Sequence, residues 1–207
     1  MSICALGEGA RSRPVVFLLA VLATLAGCAA PRVKSDRAHL ATQSAREQML
    51  ADRDNWSLDG RLAVSDGHDG GSGTLEWSNT GTMFRFSLHA PVTGKTWVLK
   101  GDDRHAVLSG LRAQPMEGDN AARLLESALG WHVPVSELTD WVRGLRAPGP
   151  ATIVFRADGL PAQIDQAGWK VEYRDYDTNR VPALPKRIFA SHGDYRVRLA
   201  VRHWKMP

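Results

Sequence analysis

What this chain lacks narrows its function first. Cysteine occurs only at positions 4 and 28, so neither a disulfide framework nor a paired-cysteine metal site is available to staple the fold. There is no His-Glu-x-x-His helix, no Gly-x-Ser-x-Gly elbow and no glycine-rich phosphate loop opening a helix. Those absences remove the signatures of zinc hydrolases, serine hydrolases and nucleotide-binding enzymes. The seven histidines are scattered singly, and His39, His68, His105 and His192 lie on polar or turn-like segments that favour a solvated side chain over a ligand or base. Charge of one sign is also scarce. Lys and Arg number 26 against 22 Asp and Glu, and no basic block alternates with aromatics, so no nucleic-acid partner is expected. Asp175, Asp177 and Asn179 take positions one, three and five of a calcium loop, but Arg180 stands where glycine is required and Lys186 where a bidentate carboxylate is required. That run is read as a surface turn. No catalytic residue, metal or cofactor is expected, and the chain is read as a monomer.

Long apolar runs are missing too, with one exception. Pro14 to Ala26 follows Arg11 and Arg13 and closes on Leu25-Ala26-Gly27-Cys28. A positive flank, a short apolar stretch and small residues before the cut make a secretory leader, too short for a committed spanning helix. The cysteine adds the pattern of a bacterial lipoprotein: its thiol takes a diacylglycerol, the leader is cut before it, and the new amine is acylated. An ordinary leader followed by a chance cysteine is the alternative. Because one acyl chain holds a protein only marginally and stable anchoring takes a second, Cys28 modified in this way is a sufficient membrane anchor. Loss of residues 1–27 removes Arg11, Arg13 and Glu8 and leaves a net charge of about +3, too small to argue for a polyanionic partner.

The remaining 180 residues suffice for one packed domain. Residues 28–55 are read as a lipidated tether and an N-terminal helix, the latter from weak helical spacing of Leu40, Ala41, Ala45, Met49 and Leu50 with Ser35 as its cap. From Trp56 the period becomes two. Trp56, Leu58, Leu62 and Val64 share one face, and the same alternation recurs at Leu75 and Trp77, at Phe84, Phe86 and Leu88, and at Trp97 and Leu99. Gly-rich turns at 66–73 and 80–81 supply hairpin geometry. Apolar residues then fall at helical spacing over Asn120–Gly130 and Val135–Gly144, which predicts two short helices. Asp119 or Asn120 caps the first, Ser136 opens the second, and Gly130 and Gly144 stop them. Alternation returns at Ile153 and Phe155, through Trp169, Val171 and Tyr173, and through Tyr195 to Val201. The predicted fold of residues 56–207 is mainly β with α: a curved antiparallel sheet or unclosed β-barrel, with helices covering a concave apolar side.

Most of the seven tryptophans belong to a core by default, yet a concave face this apolar also makes a groove suited to acyl chains. In their order and spacing several motifs carry a resemblance. They are Trp56-x-x-x-Gly60-Arg61, Ala90-Pro91-Val92-Thr93-Gly94, and Gly130 through Val133-Pro134, Leu138, Trp141 and Gly144. Trp169-Lys170-Val171-x-Tyr173-x-x-Tyr176-Asp177-Thr178, Leu184-Pro185 and Trp204 complete the set. Behind a lipidation signal, this set resembles the LolB family of outer-membrane lipoprotein receptors across nearly all of the mature chain. The resemblance implies a cavity that accepts acylated lipoprotein cargo from the periplasmic carrier LolA and releases it into the inner leaflet of the outer membrane, without covalent chemistry or nucleotide. Cavity candidates are Leu62, Val64, Trp77, Phe84, Phe86, Trp97, Val107, Phe155 and Ile164 on the strands, with Leu125, Leu129 and Trp141 on the helices. Ordinary core packing is the alternative for each. The resemblance also implies that Val92 is an apolar loop tip touching the bilayer, against the alternative of a side chain folded back. Ala29 and Ala30 lack the aspartate that commonly retains lipoproteins at the inner membrane, so the periplasmic face of the outer membrane is the expected location. A lipid-anchored scaffolding lipoprotein with a filled core stays open as a second function.

Overall fold

The computed structural model describes residues 32–206; the expected leader and Cys28 lie outside them. The elements run β1 (Arg32–Lys34), α1 (Arg37–Ala51), β2 (Trp56–Ser65), β3 (Gly70–Thr80), β4 (Met83–Ala90), β5 (Lys95–Gly101), β6 (Ala106–Ser109) and β7 (Met116–Gly118). After them come α2 (Ala121–Leu129), α3 (Val135–Trp141), β8 (Ala151–Arg156), β9 (Pro161–Gln166), β10 (Trp169–Asp177), β11 (Leu184–His192) and β12 (Tyr195–Lys205). All strands join one 12-stranded sheet in the order β1-β8-β9-β10-β11-β12-β2-β3-β4-β5-β6-β7, and each neighbouring pair is antiparallel. β1 and β7 remain edges, so the barrel is unclosed, as expected from alternation and turn spacing.

Period-two burial explains the sheet. β2 alternates strictly, with Trp56, Leu58, Gly60, Leu62 and Val64 on one line, and the partner faces of β3, β4, β5, β11 and β12 add to the same core. Gly60 has a steric reason: a Cβ there would collide with the carbonyl oxygen of Ala200 on β12. The helical insert sits against this core because polar tips hold it there. Trp141 donates from Nε1 to Gln166 Oε1 (3.0 Å), and the same oxygen accepts from the Ala147 amide (2.9 Å). Tyr173 donates its hydroxyl to the Trp141 carbonyl (2.9 Å), Tyr176 to Pro161 (2.8 Å), and Trp204 Nε1 to Pro185 (2.8 Å). Burial pushes both tyrosine pKa values well above the ordinary range, so both hydroxyls keep their protons. These aromatics of the sequence motifs are therefore fasteners as well as filling.

The N-terminal segment departs from expectation in its cap and its buried face. Residues 32–55 form β1 and the expected N-terminal helix and belong to the same compact unit as the sheet. Helix α1 is capped by Asp36, not Ser35: Asp36 Oδ1 accepts from the His39 amide at 2.8 Å. The face it buries is largely polar, comprising Gln43, Arg46 and Leu50. Arg46 donates to the carbonyls of Gly144 (2.9 Å), Arg143 (2.6 Å) and Ala183 (2.7 Å), and Gln43 donates to Gly144 (3.1 Å). Gly144 turns with φ +75°, and a Cβ there would press on Pro185, Arg46 and Tyr176. Arg146 pairs with Glu47 at 2.6 Å. Burial alone would raise the Glu47 pKa, but hydrogen bonds from Arg146 and Gln43 outweigh it and hold the carboxyl below its ordinary value. Helix α2 is capped by Asn120, which accepts from the Arg123 amide at 3.0 Å, and stops at Gly130 in the left-handed conformation. Helix α3 starts after Pro134 without a side-chain cap; the Ser136 hydroxyl instead donates to Glu137.

Candidate functional site

Between the concave sheet face and the helical insert lies a cavity of about 90 Å³. Its wall contains Leu62, Val64, Trp77, Phe84, Phe86, Trp97, Leu125 and Trp141, eight of the positions singled out by sequence. The other four stand elsewhere. Phe155 and Ile164 are fully buried but lie on β8 and β9, off the cavity wall, where Phe155 stacks on His39 of α1 at 5.2 Å. Val107 alternates against the buried Ala106 and Leu108, which turns it to the opposite sheet face. Leu129 sits one helical turn beyond Leu125 and packs at the core's margin. The sheet is longer than the cavity, and at its β8 end His39 of α1 covers Phe155.

Sequence reasoning missed part of the wall. Trp131 and Val133 line the cavity from the link between α2 and α3, and Val135 from the first turn of α3; none of the three is among the cavity candidates read from the sequence. Their odd-numbered spacing over 131–135 was the available signal. Leu75, Leu99, Val171, Ile188, Ala190, Val197 and Leu199 complete the strand side. A ladder of rings crosses the sheet: Trp56 to Trp77 at 5.3 Å, Trp77 to Phe86 at 5.6 Å, Phe86 to Trp97 at 5.6 Å and Trp97 to Trp131 at 5.9 Å. The wall carries no ionisable side chain.

Charged groups near the site act on the scaffold. Arg143 pairs with Asp140 at 2.9 Å and donates to the Leu50 carbonyl at 3.1 Å, tying α3 to the end of α1. Burial pushes the Asp140 carboxyl above its ordinary range, and Arg143 offsets only part of that shift. Asp177 accepts from Arg180 Nε at 3.0 Å, so that carboxylate of the failed calcium pattern is engaged in a turn. Among the described residues no group of three His, Cys, Asp or Glu side chains is placed to hold a metal ion. Val92 lies in the turn between β4 and β5, closed by the Thr93 amide donating to Ala90 (3.2 Å), and is 94% exposed. The folded-back alternative for this side chain does not occur.

Fold and site together define a class of protein: an open antiparallel barrel closed around an apolar cavity by a helical insert. Its architecture is shared with a solved LolA superfamily protein from Nitrosomonas europaea, at TM-score 0.53 and 10% identity over 84% of this chain and 94% of that one. The family described as Outer membrane lipoprotein LolB matches residues 54–204, and the chain belongs to that family. Relatives called "Outer-membrane lipoprotein LolB" are 38% identical in Xanthomonas campestris pv. campestris (strain B100), over 89% of this chain and 93% of the relative. In Xylella fastidiosa (strain 9a5c) the identity is 38%, over 91% and 92%.

Proposed function

We propose that this protein is an outer-membrane lipoprotein receptor, anchored at the periplasmic face through acylated Cys28. It takes lipoproteins from the soluble carrier LolA by their acyl chains and delivers them to the inner leaflet. The apolar cavity beneath the helical insert, in a chain of the LolB family, carries this reading. Each methylene withdrawn from water stabilises the bound chain by about 0.8 kcal/mol, so cargo crosses water only in a shielded form. Transfer between two apolar cavities exchanges like for like, and downhill affinities toward the bilayer supply direction without nucleotide.

The cavity of about 90 Å³ is smaller than the ~150 Å³ apolar cavity that accepts benzene. A long acyl chain therefore enters by displacing the α2–α3 insert, whose Trp131, Val133 and Val135 face the cavity with apolar side chains. Titration of delipidated protein with a long-chain fatty acid is expected to change tryptophan fluorescence saturably, because Trp77, Trp97, Trp131 and Trp141 line the wall. A chelator leaves the change unaltered. A folded, lipid-free sample that binds no acyl probe overturns this reading in favour of a scaffolding lipoprotein.

Val92 supplies the membrane contact. Val92→Glu is expected to leave folding and acceptance from the carrier intact while slowing delivery to liposomes by about tenfold or more, since a carboxylate resists the acyl boundary. Reconstituted transfer separates the two steps. Delivery at the unmodified rate removes Val92 from the mechanism.

A further inference from the structure

The exposed tip and the chain's entry into the fold stand at opposite poles of the barrel. Strand pairing gathers the turns at 66–69, 91–94, 167–168 and 193–194 at one pole. A Cβ on Gly67 would lie 3.0 Å from Asp194, and one on Gly168 would lie 3.1 Å from His192. Val92 belongs to this pole. β8 starts there, because Ala151 pairs with Gln166 beside the 167–168 turn, and it ends at Arg156 toward the other pole. β1 runs antiparallel to β8 with Arg32 opposite Arg156. The chain therefore enters the fold at the pole far from Val92.

Reach decides what this arrangement permits. From Cys28 to Arg32 the chain spans at most ~14 Å, whereas the eight residues of β4 that lead to the Val92 turn span ~27 Å. With β1 paired, the anchor keeps the Arg32 pole within ~14 Å of the bilayer, so the barrel can lie on its side but cannot stand on its Val92 pole, which would lift Arg32 by about a strand's length. With β1 free, the span from Cys28 to Arg37 at the start of α1 rises to ~31 Å, enough to bring Val92 to the surface. β1 is suited to release. It is a three-residue edge strand meeting only β8, and its Val33 is half-buried; such strands occupy the low-stability end of a fold. Helix α1 stays behind, held by Gln43, Arg46 and Leu50 and by its own Asp36 cap.

We propose that β1 is a releasable strap that sets the length of the membrane tether: paired with β8 it prevents the barrel from standing on its Val92 pole, and released it lets Val92 engage the bilayer end-on. This rests on the proposed acylation of Cys28 and on membrane contact by Val92. Lys34 and Val154 are cross-strand partners, at a Cα spacing that a disulfide accepts. The full-length Lys34→Cys, Val154→Cys protein in liposomes, loaded from the carrier with a fluorescent lipoprotein, provides the test. Oxidised, it is expected to accept cargo normally and to deliver it about tenfold more slowly or worse; reduction restores the rate. Inserting about six Gly and Ser residues between Ala30 and Pro31, which adds ~20 Å, rescues the oxidised form. In a Cys28→Ala background, where no tether exists, the lock has no effect. Three outcomes each overturn the strap: an oxidised anchored protein that delivers at the reduced rate, an equal slowing in the Cys28→Ala background, or no rescue by the insertion. Undiminished delivery by Val92→Glu strikes the underlying membrane-contact reading instead.

Discussion

Ala190→Phe is expected to abolish acyl-chain uptake while leaving the domain folded. Ala190 lies on β11, is 6% exposed and belongs to the cavity wall, flanked by Val171 of β10 and Val197 of β12 in register. The added ring is about the size of the benzene that takes a ~150 Å³ cavity, more than the ~90 Å³ of the closed cavity, so it stands in the space between sheet and insert that an entering chain would take. Overpacking costs ~1–3 kcal/mol, within the ~5–15 kcal/mol stability of an ordinary domain. Fatty-acid titration should show at least a hundredfold loss of apparent affinity, a rough figure for a site closed by steric exclusion. Val107→Thr, on the opposite face of the sheet, serves as the control and should bind normally. Full binding by a folded Ala190→Phe protein places the acyl site outside this cavity.

Arg46→Ala is expected to destabilise the fold by about 3–5 kcal/mol. Arg46 is 5% exposed, and its hydrogen bonds all go to backbone carbonyls, at Arg143, Gly144 and Ala183. Burial lowers its pKa from the ordinary arginine value, yet an arginine stays charged across the working range. Truncation strands those acceptors and leaves a void at the junction of α1, the 143–147 turn and the β10–β11 loop. Chemical denaturation measures the loss, and proteolysis should begin within residues 37–51 or 143–147. Arg46→Met, which fills the void but leaves the carbonyls unpaired, should recover only part of the stability. A denaturation midpoint for Arg46→Ala equal to that of the unmodified protein contradicts this account of α1 docking.

How much of this was legible in the sequence depends on whether burial followed an apolar period. Where it did, as in Trp56–Val64, Phe84–Leu88 and Tyr195–Val201, strands and their inward faces are readable without coordinates. Helix α1 defeats the same rule because Gln43 and Arg46 are its buried residues; their burial depends on partners about a hundred residues away. His39 of that helix stacks on Phe155, which makes Phe155, apolar and inward by period, core rather than cavity wall. Trp131 went unmarked for another reason, since it sits between the two helices, where the alternation of 131, 133 and 135 is too short to set a face. Ala190 is small enough that neither composition nor periodicity marks it. Val92 was legible as a residue without a regular face, but its exposure is set by the tight closure of the turn around it.

The strand order has a consequence for the time course of folding. β2 to β7 form one run of sequence neighbours and β8 to β11 another, and only β12 joins them, by pairing with β2. Residues 196–205 thus meet residues 57–65, a contact of long sequence separation that folds late. A chain that emerges from its N-terminus holds two unfinished half-sheets until β12 (Tyr195–Lys205) appears. Completion of the sheet then comes in one step from the C-terminal end, when β12 pairs with both β11 and β2.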